Sequence, residues 1–204
     1  MSEETIGILL AGGRSSRMGG GDKSLTTLGG MPMLAHVTQC LAPQCTALIL
    51  SANGAPERFS AFGLPVLADD VEGFAGPLAG ILAGLDFIAA HHPAIAWALS
   101  AATDTPFLPR ALVQRLHQAR AAADARIACA RSGGNVHPVV ALWPVALRQE
   151  LRHALTVETI RKVDRFAARY PRAFADWDAD PLDPFFNVNT PADLAEAERL
   201  WAAK

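Results

Sequence analysis

The sequence predicts a three-layer α/β/α fold built on a mostly parallel central sheet. Short apolar runs of β-branched and small residues recur along the chain, helical patterns separate most of them, and a glycine-rich segment follows the first run directly. Strands that alternate with helices pair in parallel, because each crossover returns the chain to the same end of the sheet, and the helices then cover both faces.

The first strand is Ile6–Leu10, and further runs at Ala47–Leu50, Pro65–Leu67, Ile95–Ala101, Ile127–Ala130 and Val139–Trp143 supply the others. The clearest helix follows Gly76-Pro77, with Leu78, Ile81, Leu82, Leu85 and Ile88 on one face and His91-His92-Pro93 ending it. A second is expected from about Pro109 to Ala122, carrying Leu112, Val113 and Leu116 inward. Between Trp143 and Trp177 the pattern is of arginine-rich helical segments with Leu147, Leu151, Leu155, Ile160 and Phe166 as core positions. The stretch Asp178 to Phe185 reads as an irregular loop that delivers Asn187 and Asn189 to the last helix. That helix opens on Thr190-Pro191-Ala192-Asp193, a cap, a proline at the first helical position and a carboxylate in the first turn, and turns Leu194, Ala197, Leu200 and Trp201 inward.

At 204 residues the chain suits one well-buried core, so residues 1–204 are expected to form a single domain. Half of the residues are hydrophobic, which excludes disorder. A net charge of -2 without a Lys/Arg block argues against gripping a nucleic-acid backbone and favours a small-molecule partner. The run Ile6 to Ala11 is too short and wrongly flanked for a signal peptide, and no stretch reaches the length of a membrane span. Cys40, Cys45 and Cys129 lack metal or redox spacing, so inert thiols in a reducing cytoplasm are expected.

The segment Gly12 to Lys23 leaves the carboxyl end of the first strand, where open α/β sheets bind ligands. Glycines let main-chain N–H groups approach phosphate oxygens, and Arg14, Arg17 and Lys23 add positive charge, so the segment reads as a polyphosphate site. A Walker A loop needs glycine immediately before its lysine, where Asp22 stands, and a dinucleotide fingerprint fails because Gly19-x-Gly21 is followed by Ser24.

Asp104 follows the run Ile95–Ala102 and stands at the tip of a central strand beside that loop. Mg²⁺ is held by one or two carboxylates with phosphate oxygens and water, so Asp104 is the candidate metal ligand; the bland alternative is that it caps the helix near Pro109. Ser51 and Asn53 lie at another strand end as base or ribose contacts, although Asn53-Gly54 is equally a turn signal. Asp69 and Asp70 close the next strand. Asn187 and Asn189 alternate on an extended segment and can reach one ligand, unless Asn189 only caps the last helix. His137, ahead of Pro138, is a further candidate contact.

The segment from Leu10 to Lys23 resembles, nearly residue for residue, the signature of the molybdenum cofactor guanylyltransferases, the MobA family of nucleotidyltransferases. Asp104-Thr-Pro-Phe107, Gly76-Pro-Leu-Ala-Gly80, Asn187-Val-Asn-Thr-Pro191 and His137-Pro138 resemble further family segments. The resemblance runs from Ile6 to Leu194 and is weakest between about Leu147 and Asp183. It implies a Rossmann-like nucleotidyltransferase fold that transfers GMP from GTP to the phosphate of molybdenum-loaded molybdopterin and releases pyrophosphate. It further implies catalytic roles for Lys23, Arg17 and Asp104, with Mg²⁺ on Asp104. Nucleotide contacts are implied for Leu10, Ala11, Gly12, Gly13 and Lys23, and for Asp69 with a slip to Asp70 left open, beside the strand-end candidates Ser51 and Asn53. The segment Gly76 to Gly80, with Gly76, Pro77 and Leu78 as nucleotide contacts, and the paired Gly12-Gly13 are implied to select GTP over CTP, and Asn187 and Asn189 complete the set, with His137 on the pterin side. Transient contacts with molybdoenzymes or cofactor-synthesis proteins are implied too; no nucleic-acid or membrane partner is expected, from the charge and hydropathy already described. The competing readings are a CTP-dependent or sugar-phosphate relative, a P-loop-like NTPase and a non-catalytic carrier of the cofactor.

Overall fold

The computed structural model describes residues 3–11, 22–71 and 76–203. A seven-stranded mixed sheet runs in the order β5-β4-β1-β6-β8-β7-β9, built from β1 (Thr5–Leu10), β4 (Ala47–Ser51), β5 (Val66–Leu67), β6 (Trp97–Ala102), β7 (Ile127–Ser132), β8 (Asn135–Pro144) and β9 (Arg172–Trp177). A small hairpin of β2 (Thr27–Leu28) and β3 (Met31–Pro32) stands apart from it. β1 pairs in parallel with β4 on one side and β6 on the other, β4 pairs in parallel with β5, and β7 with β9. β8 alone runs antiparallel to both of its neighbours.

Alternation along β1 sends Ile6, Ile8 and Leu10 to one face and Leu9 to the other. The first face is covered by α2 (Pro77–His91), α4 (Arg148–Thr156) and α5 (Val163–Ala167), the second by α1 (Met33–Leu41) and α3 (Leu112–Ala122). The three layers expected from the sequence are therefore present. Each core position named for α2, for α3 and for the stretch from Leu147 to Phe166 is buried. α6 (Pro191–Ala202) carries a capping box between Thr190 and Asp193 and packs Leu194, Leu200 and Trp201 on a smaller cluster with Leu28, Met33, Phe107 and Val188. Among the described residues no helix is long and apolar enough to cross a membrane.

Three local expectations need correction. The stretch between Trp143 and Trp177 is not helical throughout: β9 ends it, with Ala173 and Ala175 as its buried positions. Alanine is the best helix former, so an alternation written in alanine conceals a strand. α3 starts at Leu112 rather than near Pro109. β8 starts at Asn135, four residues before Val139, because Gly133 and Gly134 at φ +53° and +82° make the tight turn that folds β7 back into β8. Pro138 is tolerated inside β8 because the β7–β8 register jumps there, from Cys129 opposite Ala141 to Ala130 opposite His137. The main-chain oxygen of Val139 accepts a 2.6 Å hydrogen bond from the Ser100 hydroxyl, which in turn accepts one from the buried Trp143 indole at 2.8 Å.

α2 approaches β1 and β4 unusually closely. A Cβ on Gly84 would meet Ile8 side-chain atoms at 2.5, 2.7 and 2.9 Å, and Ile8 is fully buried with nowhere to yield. Gly84→Ala is therefore expected to cost about 1–3 kcal/mol of stability, the usual range for overpacking a core. A denaturation midpoint equal to that of the unaltered protein would show that the helix can stand further off the sheet.

Candidate active site

Strand order reverses around β1, since the chain builds outward through β4 and β5 and then returns to place β6 on the opposite side. Such a switch point splays the connecting loops apart and opens a crevice at the carboxyl ends of the strands. A cleft of about 1130 Å³ lies there. Leu10, Ala11, Ala102 and Asp104 line its middle. One flank is formed by Ser51, Asn53, Asp69, Gly76, Pro77 and Gly80, and the other by Val136 to Val140 of β8 with Phe185 and Asn187.

Asp104 sits just past β6, and its main chain is held from both sides. The Thr103 N–H and hydroxyl both donate to the Leu10 oxygen, at 3.2 and 3.3 Å, the Thr105 hydroxyl donates to the Ala102 oxygen at 2.6 Å, and the Val188 N–H donates to the Asp104 oxygen at 3.0 Å. α3 begins after Ala111 without a side-chain cap, so Asp104 does not cap it. One carboxylate oxygen, Oδ2, lies 2.5 Å from Lys23 Nζ. The other, Oδ1, is buried and has no hydrogen-bond partner among the described residues. A buried anionic oxygen left bare costs the desolvation of a charged group, which is the condition a cation relieves. Among the described residues no three His, Cys, Asp or Glu side chains cluster as a metal cage. The donor set therefore fits an ion that takes one carboxylate from the protein and the rest from phosphate and water, as Mg²⁺ does.

Lys23 also donates to Asn189 Oδ1, so residues from three distant parts of the chain converge on one ammonium. Asn189 is not the helix cap: Thr190 caps α6, and the Asn189 side chain is turned to Lys23. Val188, between the two asparagines, is fully buried, which leaves Asn187 on the cleft and Asn189 on the lysine. Asp22 accepts from the Ser24 N–H at 3.1 Å and hydroxyl, and pairs with Arg58 Nε at 2.8 Å. Lys23–Leu25 is a single 3-10 turn that leads into the β2–β3 hairpin, whereas a P-loop lysine opens a long helix. The P-loop-like reading is thereby removed.

Asn53 and Asp69 clasp each other: the Asn53 amide donates to Asp69 Oδ2 and the Asp69 N–H to Asn53 Oδ1, both at 2.9 Å. Asp70 instead pairs with Arg152 at 2.9 Å, so of the two aspartates Asp69 is the one on the cleft. Ser51 is buried under α2, where a Cβ on Gly80 would come within 2.5 Å of its Oγ. Leu78, expected to contact the nucleotide, has its side chain wholly in the core, which leaves only its main chain to a ligand. Gly12, Gly13, Arg14 and Arg17 lie outside the described residues.

Arg58 is a cleft residue that the sequence did not point to. It joins Asp22 to the Asn53 oxygen, which accepts from it at 2.6 Å, and so braces two edges of the cleft. In the sequence it stands in a Pro-Glu-Arg-Phe turn and looks like any solvated surface arginine. His137 faces the cleft from the β8 flank, with Nε2 2.7 Å from the Ser132 hydroxyl and its ring 4.8 Å from that of Phe185. Burial holds its pKa below the ordinary value of 6.5, against the opposing pull of Asp183.

Residues 7–173 match the model of the MobA-like NTP transferase domain. The chain is 63% identical over 193 residues to the molybdenum cofactor guanylyltransferase of Rhodopseudomonas palustris (strain HaA2), covering 95% of this chain and 90% of that one. It is 61% identical over 196 residues to the molybdenum cofactor guanylyltransferase of Bradyrhizobium sp. (strain ORS 278), covering 96% and 92%. Among solved structures, molybdopterin-guanine dinucleotide biosynthesis protein A from Archaeoglobus fulgidus matches with a TM-score of 0.78 at 22% identity, covering 98% of this chain and all of that one. At that identity the likeness is one of fold.

Proposed function

This chain belongs to the MobA-like NTP transferase family, and on that premise we propose that it transfers GMP from GTP to the terminal phosphate of molybdenum-loaded molybdopterin. The products are the guanine dinucleotide form of the cofactor and pyrophosphate. The observation that carries this reading is that Lys23 and Asn189 meet at Asp104, a residue lining the cleft at the strand ends, in a chain whose relatives, matched over nearly their whole length, are molybdenum cofactor guanylyltransferases.

An oxygen of the acceptor phosphate attacks the α-phosphorus of GTP. A new P–O bond forms, the bond to the oxygen bridging to the β-phosphate breaks, and its electron pair leaves with pyrophosphate. A phosphate is already anionic near neutral pH, so the residues need supply no general base. The chain's task is to position the reactants and to stabilise charge on the phosphate oxygens. Lys23, held between Asp104 and Asn189, supplies a fixed positive charge there, and Arg17 with the main-chain N–H groups of Gly12 and Gly13 supports the departing pyrophosphate. Mg²⁺ held by Asp104 would orient the triphosphate and offset charge developing on it. Asn187 and the β8 flank receive the acceptor. The reaction is placed in the cytoplasm, within one domain, and its product passes to molybdoenzymes or cofactor-synthesis proteins through transient contacts.

Base selection falls to the flank formed by Ser51, Asn53, Asp69 and the start of α2. A site that pairs the polar edge of one base leaves its own groups unpaired with another, a penalty large enough to discriminate strongly. GTP is expected to raise the thermal midpoint well above that seen with CTP, since ligand at about 100 times its Kd adds about 2.7 kcal/mol. Protection by CTP in place of GTP would keep the fold and reverse the base assignment.

A further inference from the structure

His137 belongs to a chain of three polar side chains whose protons can be placed. Ser132, at the end of β7 and 1% exposed, has its Oγ 2.7 Å from His137 Nε2 and 2.8 Å from Asp183 Oδ1. Asp183 Oδ1 also accepts the Phe185 N–H at 2.9 Å, which anchors the carboxylate in its loop. An ionised carboxylate only accepts, so the single hydroxyl proton of Ser132 is directed to Asp183. The Ser132 oxygen must then accept from the ring, which requires hydrogen on Nε2. In the neutral imidazole Nδ1 is left as a bare acceptor, and it makes no hydrogen bond with any described residue and is not among the buried unpaired atoms. The register jump beside Pro138 and the packing on Phe185 fix where the ring lies on the cleft. Burial keeps the ring neutral near pH 7.

We propose that Ser132 and Asp183 are positioning residues that hold His137 as the Nε2–H tautomer and present its Nδ1 lone pair to the cleft from the β8 flank, where it accepts a hydrogen bond from an N–H donor on the heterocycle of the acceptor substrate. Guanine and a pterin both carry amino and ring N–H donors, so the shared chemistry is an aminopyrimidine-type edge. His137 lies across β1 and β6 from Ser51, Asn53 and the start of α2, which assigns the bond to the acceptor rather than to GTP. The identity of the acceptor rests on the function proposed above; the proton placement does not.

Two measurements test this separately. Long-range ¹⁵N–¹H correlation of the histidine rings in the substrate-free protein is expected to show His137 protonated at Nε2 and bare at Nδ1, and Ser132→Ala to give a mixture of tautomers. Hydrogen at Nδ1 in the unaltered protein overturns the proposal whatever reaction the protein catalyses. In steady-state kinetics with molybdenum-loaded molybdopterin, Ser132→Ala and Asp183→Ala are expected to raise the acceptor KM by about five- to tenfold, the size of one hydrogen bond, and to leave the GTP KM within about twofold. Asp183→Asn, whose amide oxygen still accepts both bonds, is expected to restore the acceptor KM. A rise in the GTP KM with the acceptor KM unchanged overturns the assignment to the acceptor. Absence of turnover in the unaltered protein counts against the proposed reaction, and the tautomer measurement still decides the positioning role.

Discussion

Asp104→Ala is expected to lower turnover by on the order of 10², roughly 3 kcal/mol of transition-state stabilisation. Two effects add in the same direction. The buried Oδ1, bare among the described residues, is the oxygen that would meet the metal in the proposed reaction, and Oδ2 is the oxygen that holds Lys23. The fold should survive, because Asp104 is fastened by its main chain to Val188 and by its neighbours Thr103 and Thr105. The check is the rate of pyrophosphate release at saturating Mg²⁺ and GTP, with the thermal midpoint as a control on folding. Turnover close to that of the unaltered protein would remove Asp104 from the reaction.

Lys23→Ala is expected to cost a similar factor, on the order of 10², by taking a fixed positive charge from a site where water is partly excluded. Its signature differs from that of Asp104→Ala: the dependence on Mg²⁺ concentration should persist, because the carboxylate remains. Arginine is not expected to rescue, since a planar fork cannot replace a compact ammonium between Asp104 and Asn189. Because the two residues touch, the double variant is expected to lose less than the sum of the two singles. Unchanged rates at both limiting and saturating GTP would refute the role given to Lys23.

What could be read in advance follows from how each signal is written into the chain. β1, β4, β6 and β7 are largely buried runs with turn residues on either side, so pattern and composition agree, and the half-buried β5 is marked by its apolar pair. α2 and α6 announce their starts through Gly76-Pro77 and Thr190-Pro191-Ala-Asp193, and both begin there. β9 was hidden because its buried positions are alanines, and the early start of β8 because Pro138 argues against a strand unless a register jump absorbs it. The site shows the same division. The sequence singles out Asp104 at a strand end, Lys23 in the glycine-rich segment and Asn189 before the last helix; the structure brings the three side chains together and decides against a capping role for either Asp104 or Asn189. The family resemblance favours Asp69 with a slip to Asp70 left open, and the structure puts Asp69 on the cleft while Arg152 of α4 takes Asp70. The pairing of Arg58 with Asp22 and the Asp183–Ser132–His137 chain join residues 36, 51 and 5 positions apart, and such meetings follow only from the fold.

The central claim is tested most directly by incubating the purified protein with Mg²⁺ and either GTP or CTP, with and without molybdenum-loaded molybdopterin, and measuring pyrophosphate. Release with GTP alone, and only when the acceptor is present, is the result predicted. Absence of pyrophosphate in every combination, with GTP bound but not turned over, would contradict the claim and leave a nucleotide-binding carrier in its place.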